Sequence, residues 1–294
     1  MWRYPRVSSH GRGQSTLAKP IGRGALTELL PQAAARHPGK PEDAERAAFL
    51  SLLTRVRPER QAGGFPHDDG TIEFYSRVNA LLRPTMTVLD FGAGRGRQFD
   101  VPDPGYLQSL QVLQGKVARV IGVDIHEGIQ AHPHLDARLL IQEGQPIPLP
   151  SSSVDIVVAD WVLEHLANPE QFVGEMERLL RVGGWICART VNRWGYVGIG
   201  ARLVPSKMHR SLLRLLMPVG RTEDQFLTHY RMNTLRNIRR WFLDARWDNY
   251  SYLLNPTPRY CGTSSIAFRA IELYQRLMPY RFRTDLHAFL RRRK

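Results

Sequence analysis

The chain has 294 residues, a formal net charge of +14, 43% hydrophobic residues and two cysteines. That length allows one α/β core of ordinary size with extensions. Cys187 and Cys261 exclude a disulfide framework or a cysteine metal cluster, and no apolar run approaches the ~18 residues of a membrane span, so a reduced, cytoplasmic setting is expected.

Charge is distributed unevenly. Residues 1–70 carry 11 basic and 7 acidic side chains, residues 71–190 carry 10 and 14, and residues 191–294 carry 20 and 6. The C-terminal third therefore supplies the imbalance, which points to an anionic partner such as a phosphorylated substrate, a lipid headgroup or a nucleic acid.

Residues 1–40 are rich in Gly, Pro, Arg and Ser and read as a basic, partly disordered arm. A helix is predicted over 42–56, where Ala47, Leu50 and Leu53 share one face, and another over 71–82, ended by Pro84. From there strands and helices alternate. Strands are expected at 88–91, 117–123 (ending at Asp124), 137–141, 154–159 and 185–190, with helices at 106–114 and 169–180. This alternation implies a mostly parallel sheet covered on both faces. After Asn192 come arginine- and aromatic-rich helical segments at 197–217, 233–244 and 264–278, with a strand at 247–254. No further antiparallel strand is evident near the end of the chain. Phe282, Leu286, Phe289 and Leu290 beside the terminal Arg291-Arg292-Arg293-Lys294 suggest peripheral contact with an anionic membrane, or packing on the sheet with a solvated basic end.

The densest chemical signal is Val88-Leu89-Asp90-Phe91-Gly92-Ala93-Gly94-Arg95-Gly96, an apolar strand ending in an acid and followed by glycines at alternate positions. A dinucleotide fingerprint requires G-x-G-x-x-G, and counting from Gly92 its sixth position is Arg97. This disfavours an NAD-dependent oxidoreductase. The spacing G-x-G-x-G after a strand-terminal Asp resembles motif I of the class I S-adenosylmethionine-dependent methyltransferases. The likeness continues over residues 71–190 through Asp124, the Glu143-Gly144 pair ahead of a Leu-Pro segment, Asp160-Trp161-Val162-Leu163-Glu164-His165-Leu166, and Arg178-Leu179-Leu180-Arg181-Val182-Gly183-Gly184.

The resemblance implies a Rossmann-like three-layer α/β sandwich with a mostly parallel sheet, a helical N-terminal extension (1–70), a cofactor-binding core (71–191) and a C-terminal substrate cap with a basic helical tail (192–294). It implies S-adenosyl-L-methionine as the cofactor and no metal. Asp90, Gly92, Ala93, Gly94 and Gly96 would meet its amino acid end, and Asp124 its ribose, as a carboxylate can accept two hydroxyls at once. Ile125 would face the adenine, Glu143 and Gly144 its polar edge, and Asp160 and Trp161 the sulfonium region. His165 and His229 are the candidate bases, because imidazole titrates near neutrality. Glu164 reads as a helix-capping or surface residue, with proton transfer as the alternative. A small-molecule, glycan or lipid-linked acceptor is expected. The alternatives are a nucleic-acid methyltransferase using the basic C-terminal surface, or a protein that binds S-adenosylmethionine without catalysis.

Overall fold

The computed structural model describes residues 41–99, 105–203 and 227–294. Five strands, β1 (Thr87–Phe91), β2 (Arg119–Asp124), β3 (Ala137–Leu140), β4 (Val154–Asp160) and β5 (Leu180–Val191), form the parallel part of the sheet. On the far side of β5 the sheet is completed by β6 (Trp247–Asn249), β7 (Tyr252–Leu254) and β8 (Asp285–Arg292). The order is β3-β2-β1-β4-β5-β8-β6, with β7 also paired to β8. β8 runs antiparallel to β5, and β6 and β7 run antiparallel to β8.

Both faces are covered, which explains why β1 and β4 are apolar almost throughout. On one side Leu89 packs with Phe172, Val173, Met176 and Leu179, the buried stripe of the helix α4 (Pro169–Leu179). On the other, Val88 packs with Phe74, Tyr75 and Val78 of the helix α2 (Gly70–Leu81). Each of these helices starts at a side-chain cap: Asp69 accepts from the amides of Thr71 and Ile72, and Asn168 from that of Gln171. The N-terminal helix α1 (Pro41–Val56) buries Leu52, Leu53 and Val56 with Phe268 of a late helix, Ser265–Leu277. Residues from Lys40 to Lys294 cluster as one compact unit.

Several expectations are corrected. The helix after Gly105, α3 (Tyr106–Gln111), ends three residues earlier than predicted. The Gly183-Gly184 turn lies inside β5 as a distortion in its pairing with β4, with Gly183 at φ +82°. Asp155 fixes this corner by accepting from the Thr87 amide and the Arg181 guanidinium. The region after β5 gives α5 (Tyr196–Leu203), α6 (Leu235–Trp241), capped by Thr234, and α7 (Ser265–Leu277); the rest of the predicted helix 197–217 lies outside the described residues. The expected strand 247–254 is interrupted where Asn249 accepts from the Ser251 amide, and its two halves pair in turn along β8.

The largest correction concerns the tail. Leu286, Phe289 and Leu290 are buried within β8, between β5 and the β6–β7 edge. Arg292 donates to the Leu180 carbonyl and Arg293 pairs with Asp248. The apolar half of a lipid-binding tail is thus consumed by the sheet core, and the missing antiparallel strand is the tail itself.

Candidate functional site

The three glycines after β1 all take positive φ, at +75°, +60° and +76°, but for different reasons. A Cβ on Gly92 would sit 2.5 Å from Val162, and one on Gly96 would sit 2.6 Å from Pro133. These two are glycines because protein crowds them. At Gly94 a Cβ would meet nothing within 4 Å, so this backbone is left open to a ligand. Asp124, at the end of β2, holds the turn in place: Oδ2 accepts from the Gly94 amide at 2.8 Å and Oδ1 from the His126 amide at 2.8 Å.

In front of the turn lies a cavity of about 450 Å³ at the carboxyl edge of the parallel strands, where open α/β sheets bind ligands. Gly92, Asp124, Ile125, Glu143, Gly144 and Trp161 all line it. Ile125 is 48% exposed, an apolar platform unspent in the core, and Gly144 keeps its turn at φ +84°. The lining is chiefly apolar on its deep side, through Phe91, Phe172 and Met176. Polar acceptors at one rim and an exposed aliphatic face suit a nucleoside.

Asp90 lies beside this cavity and outside its lining, facing the side of the sheet that carries Tyr75. Desolvation, reinforced by Asp160 and then Asp124, pushes its carboxyl up to about 7. Asp160 itself is gripped by Arg189, which donates to both carboxylate oxygens, and by the Tyr75 hydroxyl at 3.1 Å. The site therefore carries surplus negative charge near the glycine turn, which a cationic ligand group would relieve.

A group that binds a proton in the folded state above the ordinary carboxylate range favours folding at low pH and loses that contribution as pH rises towards 7. Asp90→Asn is accordingly expected to gain stability relative to wild type as pH goes from about 4 to about 7, measured as the difference in urea unfolding free energy. Taking the difference matters, because buried His132 and His287, held down to about 4 and about 3, titrate in the opposite sense. A pH-independent difference would refute the assignment.

A second, more polar cavity of about 190 Å³ opens on the other side of Trp161. Trp161 and His165 line both cavities. Trp161 takes φ +58°, a strained value for an indole residue, and the guanidiniums of Arg189 and Arg259 each lie 5.1 Å from its ring centre. Tyr260, which also lines this cavity, is at φ +63°. Arg259 pairs with Asp285 at 3.2 Å, and the Tyr196 hydroxyl donates to the Arg259 carbonyl. Glu164, on the single turn after β4, is only 6% exposed and lines this cavity too. Burial pushes its carboxyl up to about 7, against the lowering effect of the Thr190 hydroxyl it accepts from.

The structure thus gathers Asp124, Ile125, Glu143, Gly144, Trp161 and His165 around two adjoining cavities that share Trp161 and His165, with Asp90, Gly94 and Asp160 just behind or beside them. Ala93 is buried under the turn. His165 is held through Nδ1 at 3.0 Å from the Leu227 carbonyl, and burial lowers its pKa. His229 lines neither cavity; its amide donates to the Glu164 carbonyl. After β5, Tyr196 lines the second cavity, whereas Asn192 turns inward to the carbonyls of Arg281 and Arg283. Glu164 is corrected from surface residue to buried acid. Arg189, Arg259, Tyr260 and Asp285 escaped the sequence reading. An arginine inside an otherwise apolar strand was the one available signal.

Residues 89–188 match the family described as Methyltransferase domain. Over 109 residues the chain is 38% identical to a protein of Mycolicibacterium smegmatis named Probable S-adenosylmethionine-dependent methyltransferase, covering 36% of this chain and 38% of that one. It is 33% identical over 159 residues to an Uncharacterized methyltransferase of Mycobacteroides abscessus, covering 48% and 57%. The chain therefore spans less than two thirds of the length of these relatives. Geranyl diphosphate C-methyltransferase from Streptomyces coelicolor aligns at 16% identity over 90% of this chain and 88% of its own, with a TM-score of 0.45.

Proposed function

Since the chain belongs, through residues 89–188, to the class I S-adenosylmethionine-dependent methyltransferases, we propose that it transfers a methyl group to a small polar acceptor held in the second cavity. The observation that carries this reading is the pair of cavities meeting at Trp161 and His165. A donor in the larger one and an acceptor in the smaller one would face each other across that wall.

S-adenosylmethionine supplies an activated methyl on a sulfonium, so the protein has mainly to align the partners and exclude water. Gly94 leaves backbone open for the amino acid end. Asp90 and Asp160 provide the negative field that the ammonium and sulfonium require. Asp124 has lone pairs left for the ribose after accepting its two amides, and Ile125, Glu143 and Gly144 meet the adenine. The second cavity, lined by Arg259, Tyr260 and Thr257, takes one ring-sized polar group. A small molecule or the terminal unit of a glycan or lipid-linked sugar meets that limit.

The basic C-terminal third supports a nucleic-acid acceptor less well than its charge suggests. Arg246, Arg259, Arg269, Arg276 and Arg293 each pair with a carboxylate of the protein itself.

Isothermal calorimetry tests the donor site. S-adenosylmethionine is expected to bind, and Gly94→Arg to abolish binding: its Cβ meets no protein atom, but its φ of +60° adds backbone strain of about 1–2 kcal/mol, so the near-ultraviolet circular dichroism is recorded beside it to show that the fold is retained. Binding of NADH in place of S-adenosylmethionine overturns the reading. Binding without transfer of labelled methyl to any fraction of a cell extract would leave a cofactor-binding protein.

A further inference from the structure

Resting on the donor and acceptor cavities assigned above, we propose that Glu164 is the catalytic base of the second cavity and that the acceptor group received there is a hydroxyl. Three observations lead to this. Glu164 is buried, yet it belongs to the lining of the second cavity and not of the larger one. Its two oxygens are not equivalent. Asn233 Nδ2 donates to Thr190 Oγ1 at 2.7 Å, which commits the single hydroxyl proton of Thr190 to Glu164 Oε2. Among the described residues, no side chain other than that of Thr190 is hydrogen-bonded to this carboxylate. A carboxylate held by a directed network, on a residue that lines a cavity, is what a general base requires.

The other charged groups around it are already engaged. Asp285 of β8 pairs with Arg259, and Asp160 of β4 pairs with Arg189 of β5. His165 has Nδ1 against the Leu227 carbonyl and fronts the donor cavity as well. Tyr196 of α5 spends its proton on the Arg259 carbonyl. Of the two candidate bases at this cavity, His165 sits on the wall shared with the donor cavity, whereas Glu164 lines the smaller cavity alone.

The acceptor class follows from charge and proton bookkeeping. A carboxylate acceptor is already ionised at neutral pH and needs no base. A neutral amine attacks through its lone pair and needs no base beforehand. A hydroxyl keeps its proton at neutral pH, and losing it during attack is where a buried carboxylate contributes most. In the step, an oxygen lone pair of the acceptor forms the bond to the methyl carbon of the sulfonium donor. The sulfur–methyl bonding pair returns to sulfur, which becomes a neutral thioether. The hydroxyl proton passes to Glu164 Oε1 and then to water, and the product is a methyl ether.

Wild-type protein, Glu164→Gln and Glu164→Asp are incubated with methyl-labelled S-adenosylmethionine and the small-molecule and glycan fractions of a cell extract, and the labelled products are identified by mass spectrometry. Gln can still accept from Thr190, so the turn is preserved, and calorimetry with S-adenosylmethionine is expected to be unchanged. O-methyl products are expected, with kcat in Glu164→Gln lower by roughly 100-fold or more and partly recovered in Glu164→Asp. The wild-type rate should rise with pH to a plateau above neutrality, and the Gln profile should lose that rise. Independently of turnover, carbon-13 NMR of carboxyl-labelled glutamate should contain one resonance, absent in Glu164→Gln, that titrates near neutrality.

N- or C-methyl products, a Gln variant within threefold of wild type, or titration of that resonance in the ordinary carboxylate range each overturn the proposal while leaving the two-cavity reading intact. Failure of the wild type to transfer methyl at all overturns both, and failure to bind S-adenosylmethionine removes the reading beneath them.

Discussion

Asp124→Ala is expected to weaken S-adenosylmethionine binding by on the order of 100- to 10,000-fold in calorimetry, the loss that follows from removing two charge-assisted hydrogen bonds of about 1.5–3 kcal/mol each. The carboxylate does two jobs at once. It accepts from the Gly94 and His126 amides, which shapes the one part of the glycine turn left open to ligand, and it offers its remaining lone pairs to the ribose. The informative variant is Asp124→Asn. Because each oxygen already faces a backbone N–H, an amide in either orientation points an NH2 group at a donor. The nominally conservative change should therefore resemble Ala, with affinity reduced at least about tenfold. Asn binding within threefold of wild type would mean that the carboxylate is not holding the turn and the ribose together.

How much of this was legible in the sequence varied with how local the cause is. The parallel half of the sheet is written in runs such as Val120–Val123 and Val154–Ala159, whose burial on both faces leaves little but apolar residues. The glycine turn and Asp124 were legible because positive φ and strand-end acids leave marks at fixed spacing. β8 was not. Asp285–Arg292 mixes Asp, His and two arginines into an apolar stretch, and its alternation is hidden because even Asp285 and His287 are buried. Asp285 is accounted for only by Arg259, and His287 only by Tyr252, both brought in by folding. The burial of Glu164 was hidden for the same reason: its partner Thr190 lies 26 residues away, Asn233, which donates to Thr190, a further 43, and nothing next to Glu164 in sequence shows that it is buried. His229 drew attention as a titratable residue, yet what it contributes here is backbone: its amide, like that of Tyr230, donates to the Glu164 carbonyl.

Arg189→Met is expected to destabilise the protein by about 3–5 kcal/mol, read from urea denaturation at neutral pH, because it leaves buried negative charge without its counter-ion. The guanidinium is almost fully enclosed and donates to both oxygens of Asp160 and to the Thr71 hydroxyl, while Phe74, Tyr75 and Trp161 pack around it at 5.1–5.7 Å from ring centre to Cζ. Methionine fills much of the same volume, so the loss should come from electrostatics more than from packing. Asp160 would be left facing Asp90, whose carboxyl already resists ionisation. If that is the mechanism, adding Asp160→Asn to Arg189→Met should restore most of the lost stability, since a buried ion pair replaced on both sides costs little. The double variant should nonetheless bind S-adenosylmethionine less tightly than wild type, having lost part of the negative field at the sulfonium end. A double variant no more stable than Arg189→Met would show that Arg189 acts by packing against the three rings, and a loss below about 1 kcal/mol in the single variant would remove this ion pair from the framework of the site.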